Sequence, residues 1–111
     1  MEYPVTITMN GQNLWRRIMG ANPEVFGNHW RKFRYVTGAW DTPGKVAYEI
    51  DDPNGEEGEG GLKGFIDLDL LALGYQRALE SHAWATDLDE QDCVSADAIC
   101  QLAIFGEVVY G

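Results

Sequence analysis

Two histidines, two cysteines and eighteen carboxylates are the groups in this 111-residue chain that could do chemistry. Their spacing limits what they can do. His29 and His82 have no neighbour at metal-ligand spacing, and no nucleophile–histidine–acid set assembles by adjacency. His82 falls on an apolar stripe with Tyr75 and Ala78 and reads as a hydrogen-bonded core or boundary histidine. His29 stands at the entrance of a strand and reads as exposed. Cys93 and Cys100 are spaced wrongly for a zinc knuckle. On one helix they would lie about 10 Å apart, too far to bridge. They read as two reduced, partly buried thiols.

The carboxylates invite a calcium reading, and it fails on spacing. With Asp52 as the first ligand of an EF-hand loop, Asn54 and Glu56 fall into place, but Glu57 stands where glycine is required and Lys63 where the bidentate glutamate belongs. A frame begun at Asp87 puts Asp92 at the glycine position. The glycine-rich run lacks the Gly-Lys-Ser/Thr ending of a phosphate cradle. Acid–base pairs of the glycosidase kind need contrasted environments, and most acids here fall in loops where both partners stay ionised. Asp97 is expected to serve a helix N-terminus. No catalytic residue, metal ligand or cofactor is therefore expected, and an enzyme would need residues that converge only in space.

Charge is more informative. The formal net charge is −10, yet residues 1–35 carry five cations against two acids, +3, and the remainder carries −13. Two candidate surfaces follow. The acidic one comprises Glu49, Asp51, Asp52, Glu56, Glu57 and Glu59, then Asp87, Asp89, Glu90 and Asp92. It could present a phosphate-like field to a basic, nucleic-acid-binding protein. The second interleaves basic and aromatic residues: Trp30, Lys32 and Arg34 on the outer face of a strand, with Arg16 and Arg17. Such a surface can hold phosphates and stack bases. A plainer reading pairs Lys32 or Arg34 with Glu49 across a hairpin. The overall −10 opposes direct binding to DNA or RNA.

These residues are carried by a legible set of elements. Val5 to Met9 alternates as a half-buried strand. Asn10 caps a helix over 11–19, with Leu14, Trp15, Ile18 and Met19 inward and Arg16-Arg17 outward. Trp30 to Val36 and Lys45 to Ile50 read as strands joined by a loop. Phe33, Tyr35, Val46, Tyr48 and Ile50 are expected to face the core, with Arg31 at the edge. Residues 51–61 read as a flexible, acidic, glycine-rich loop. Asp67 caps a helix to about residue 83, residues 85–92 form an acidic loop, and Ser95 caps a buried helix from Ala96 to Phe105. The order β-α-β-β-α-α implies an α+β domain: a small antiparallel sheet of about three strands with helices packed on one face.

Length and composition agree with one domain spanning 1–111. No apolar run reaches the length of a membrane helix and no secretory signal is visible, so the expected place is the cytoplasm, away from membranes. An exposed sheet edge leaves a homodimer open.

The stretch Ser95-Ala96-Asp97-Ala98-Ile99-Cys100-Gln101-Leu102-Ala103-Ile104-Phe105-Gly106-Glu107-Val108-Val109-Tyr110-Gly111 resembles the ending of small bacteriophage and prophage proteins of unknown function, which close on Ala-x-Phe-Gly-Glu-Ile/Val-Val-Tyr-Gly. The resemblance implies a phage or prophage origin, and hence the cytoplasm of a bacterial host. It carries no catalytic residue. It implies an accessory protein that binds and blocks a host protein, as inhibitors of CRISPR and other DNA-handling defences do. The partner would be a basic nucleic-acid-binding protein, with a nucleic-acid-binding accessory role as the alternative.

Overall fold

A computed structural model describes residues 10–54 and 61–110. Six elements organise them: α1 (Gly11–Met19), β1 (Trp30–Ala39), β2 (Thr42–Ile50), β3 (Leu62–Ile66), α2 (Leu68–Ser81) and α3 (Cys93–Phe105), with three 3-10 turns at Pro23–Val25, Ala83–Ala85 and Leu88–Glu90. The fold is α+β, with an antiparallel sheet of order β1-β2-β3. The strand expected at 5–9 and residues Glu56, Glu57 and Glu59 lie outside the described residues.

The helices form where caps and periodicity coincide. Asn10 accepts from the Gln12 amide at 2.8 Å, and α1 buries Leu14, Trp15, Ile18 and Met19 while Arg16 and Arg17 face outward. Asp67 accepts from the Leu70 amide at 2.9 Å and starts α2, which ends at Ser81, earlier than the spacing predicts. In α3 the cap lies one turn before Ser95. Asp92 accepts from the Ser95 amide at 2.9 Å, and the Ser95 hydroxyl accepts from the Asp92 amide at 3.0 Å. This reciprocal box satisfies two orphan donors, whereas a cap at Ser95 would satisfy one. Backbone hydrogen bonds, the Ser95 amide first, hold the Asp92 carboxyl below its ordinary range.

α3 is buried on all sides from Ser95 to Ala103 and forms the centre of the core. It packs closely on α2 because position 74 is glycine: a Cβ there would sit 2.8 Å from that of Ala103. Arg77 of α2 donates to the Leu102 carbonyl at 2.6 Å and so serves the otherwise open end of α3.

The sheet departs from the expected pattern in three ways. β1 and β2 run on to a two-residue turn, Trp40-Asp41, so the segment expected as a loop is mostly ladder. The third strand is β3, over residues to which the sequence pattern assigns no element. The Tyr48 hydroxyl passes 2.6 Å from where a Gly64 Cβ would be, so the strand is built around that glycine. Finally, a bulge between Trp30 and Lys32 turns Trp30 to the core side, opposite Ile50, instead of outward with Lys32.

Candidate functional site

The bulge delivers Trp30 and the preceding His29 to a buried carboxylate. His29 is only 5% exposed, and its Nε2 lies 2.6 Å from Asp97 Oδ1. An ionised carboxylate only accepts, so Nε2 carries the proton. Trp30 Nε1 donates to the same oxygen at 2.7 Å, and Gln101 Nε2 donates to Oδ2 at 2.7 Å. Gln101 reaches on to the end of the described chain. Its Oε1 accepts from the Val109 and Tyr110 amides at 2.9 and 2.8 Å, and its Nε2 donates to the Tyr110 carbonyl at 2.7 Å. The Tyr110 ring stacks on His29 at 4.9 Å between centroids, and its hydroxyl donates to the Asp51 carbonyl at 2.8 Å. Two expectations are corrected here. His29 is buried rather than exposed, and Asp97 serves a tertiary network rather than the start of α3.

This cluster joins elements rather than preparing a reaction. Each oxygen of Asp97 already has a donor, and His29 is sealed between Tyr110 and the Gly27 turn, where a Cβ would meet its Nδ1 at 2.9 Å. The neighbouring thiol is inert, since burial pushes the Cys100 pKa far up, with Asp97 adding to the effect. Cys93, also free, is half-buried. His82 caps the end of α2 with Nδ1 2.7 Å from Ser81 Oγ. The Ser81 proton is already donated to the Arg77 carbonyl at 2.8 Å, so this serine is an acceptor and not an activated nucleophile. Among the described residues no three His, Cys, Asp or Glu side chains gather as a metal site.

The other side of the sheet is open. Register places Lys32 opposite Glu49 and Glu49 opposite Lys63. One row further on, Arg34 lies opposite Ala47 and Ala47 opposite Phe65. Directly opposed residues share a face, and these six point away from the helices, whose side holds Phe33, Tyr35, Val46, Tyr48, Ile50 and Ile66. Burial on that inner side pushes the Tyr35 hydroxyl up to about 12. Outside, Phe65 is 57% exposed, and the Lys45 ammonium lies 5.2 Å from its ring centroid. Small Ala47 between Arg34 and Phe65 leaves a shallow groove of about 310 Å³.

Four of the eight Lys and Arg residues therefore sit on one face with Glu49, whose charge also acts on Arg31 of the neighbouring Arg31–Asp51 pair. The side chains placed on this face sum to +3, in a chain of net charge −10. Glu49 is partly engaged, accepting from the Gly61 amide at 3.1 Å.

Of the basic and aromatic residues singled out in sequence, Lys32 and Arg34 belong to this face. Trp30 does not. Arg16 and Arg17 line a separate groove of about 460 Å³ beside Trp40 and Asp89. Lys45, Lys63 and Phe65 were missed. Their signal is the alternation Lys63-Gly64-Phe65, which puts Lys63 and Phe65 on one face once β3 is recognised as a strand.

The described acidic candidates are dispersed and locally bonded. Asp51 pairs with Arg31, whose guanidinium that hydrogen bond raises further. Asp52 accepts from the Asn54 amide at 2.9 Å. Asp87 accepts from the Asp89 amide at 3.0 Å, Asp92 caps α3, and Asp89 lies 3.8 Å from Arg17. Glu90 is exposed on the same turn as Asp89.

No family model, curated protein or solved structure matches the chain. Among the described residues no helix is long and apolar enough to cross a membrane.

Proposed function

We propose that this protein is a non-catalytic binding module that works through the open face of its sheet on an anionic partner. One observation carries the reading: a chain of net charge −10 gathers Lys32, Arg34, Lys45 and Lys63 around an exposed Phe65 on the face its helices leave uncovered. Scattered solvated lysines need no partner. An aromatic ring kept in water among cations is what a surface for an anionic, partly apolar partner requires.

A second reading keeps the acidic surface as the working one, against a basic host protein. It is favoured by the run of exposed acids Asp87, Asp89, Glu90 and Asp92 on consecutive turns. A phage origin, implied by the C-terminal resemblance, suits either reading.

The test is chromatography on phosphocellulose at neutral pH. A protein with a pI near 4.4 should pass through. Retention at low salt, elution by salt, and loss of retention in Lys32→Gln/Lys63→Gln are expected. Flow-through of the unaltered protein would contradict the basic-face reading.

A further inference from the structure

We infer that the partner of the open face is single-stranded DNA, its phosphates held by Lys32, Arg34 and Lys63 and one base stacked on Phe65. The inference rests on the reading of that face as an anion site and goes further by naming the anion.

Three features favour it over an acidic protein. The cations flank the groove on both outer strands, with stems about 10 Å apart across β2, as a charged strand lying in the groove would need. Phe65 offers a ring, which an acidic side chain cannot use and a base can. A base arriving there takes the place of the Lys45 ammonium over the ring, and that cation turns back to solvent. A duplex keeps its bases stacked on each other and gains nothing from Phe65. DNA is favoured over RNA because a 2′-hydroxyl laid against the apolar side chains of Ala47 and Phe65 would lose water there without gaining a partner.

The test is fluorescence anisotropy of labelled oligothymidylate, with labelled oligouridylate, a DNA duplex and a polyglutamate peptide in parallel, between roughly 50 and 200 mM salt. Three neutralised phosphates give a slope of log K on log salt of about −2, hence roughly a 20-fold loss across that range. Phe65→Ala and Phe65→Leu should each weaken binding fivefold or more with the slope unchanged. Lys32→Gln/Lys63→Gln should flatten the slope by about 1.4. These positions are solvent-facing, so unchanged thermal midpoints are expected, and Phe65→Leu keeps an apolar side chain should Phe65→Ala fold poorly.

Oligothymidylate bound no better than polyglutamate, duplex or oligouridylate overturns the assignment, as does indifference to the loss of the ring. Should this happen while phosphocellulose still retains the protein, the anion site stands and only the DNA assignment falls. Should retention fail too, both fall.

Discussion

His29 Nε2 and Asp97 Oδ1 meet at 2.6 Å across 68 residues of sequence, both side chains almost wholly buried. This contact fastens the entrance of β1 to the central helix and fixes the bulge that turns Trp30 inward. The outward face of β1 then begins at Lys32. The geometry of the open face thus depends on a buried hydrogen bond on the opposite side of the sheet.

Removing the carboxylate leaves His29 Nε2 and Trp30 Nε1 without an acceptor and takes one of two from Gln101 Nε2. Asp97→Ala should lower stability by about 3–5 kcal/mol, read as a shift of the urea midpoint. Trp30→Phe removes one donor with the pyrrole half of the indole and keeps a six-membered ring, so about 1–2 kcal/mol is expected. Similar, small costs for both would show that Asp97 does not hold this corner together.

Gln101 ties 109–110 to α3 through both ends of its amide. Gln101→Leu should expose the Val109 and Tyr110 amides to fast hydrogen exchange while leaving the amides of β2 protected. Protection retained at both positions would place the anchoring elsewhere.

Asp92 sets the acid limb of stability. Its carboxyl is held below the ordinary 3.8, chiefly by the Ser95 amide, and so contributes stability above that value that fades as the pH falls through the lower folded pKa. Asp92→Ala should cost about 1 kcal/mol at neutral pH, and the gap from the unaltered protein should narrow as the pH falls below the carboxyl's ordinary 3.8. A gap that persisted at low pH would assign the loss to packing rather than to the cap.

Much of this arrangement was legible in sequence, and what was not has physical causes. α1 and α2 follow from a capping residue ahead of an apolar stripe, both of them local signals. α3 was placed one turn late because Asp92 and Ser95 are both capping types and only their reciprocal bonding separates them. The two-residue turn at Trp40-Asp41 was hidden by Pro43 and Gly44, which read as loop residues yet lie within β2. The direction of Trp30 depended on a bulge, and a one-residue slip reverses every face beyond it. The burial of His29 depended on a partner far along the chain. Lys63 and Phe65 were missed because β3 is only five residues between an acidic loop and a helix cap, too short a run to read as a strand by itself, and with it went the row that brings them beside Lys32 and Arg34.

The central claim is the location of the working surface, and amide chemical-shift mapping with a short inorganic polyphosphate addresses it most directly. Shifts concentrated at Lys32, Arg34, Ala47, Lys63 and Phe65, and suppressed by salt, are the expected result. Shifts confined to Arg16, Arg17 and the turn around Asp89, or none at low salt, would contradict it.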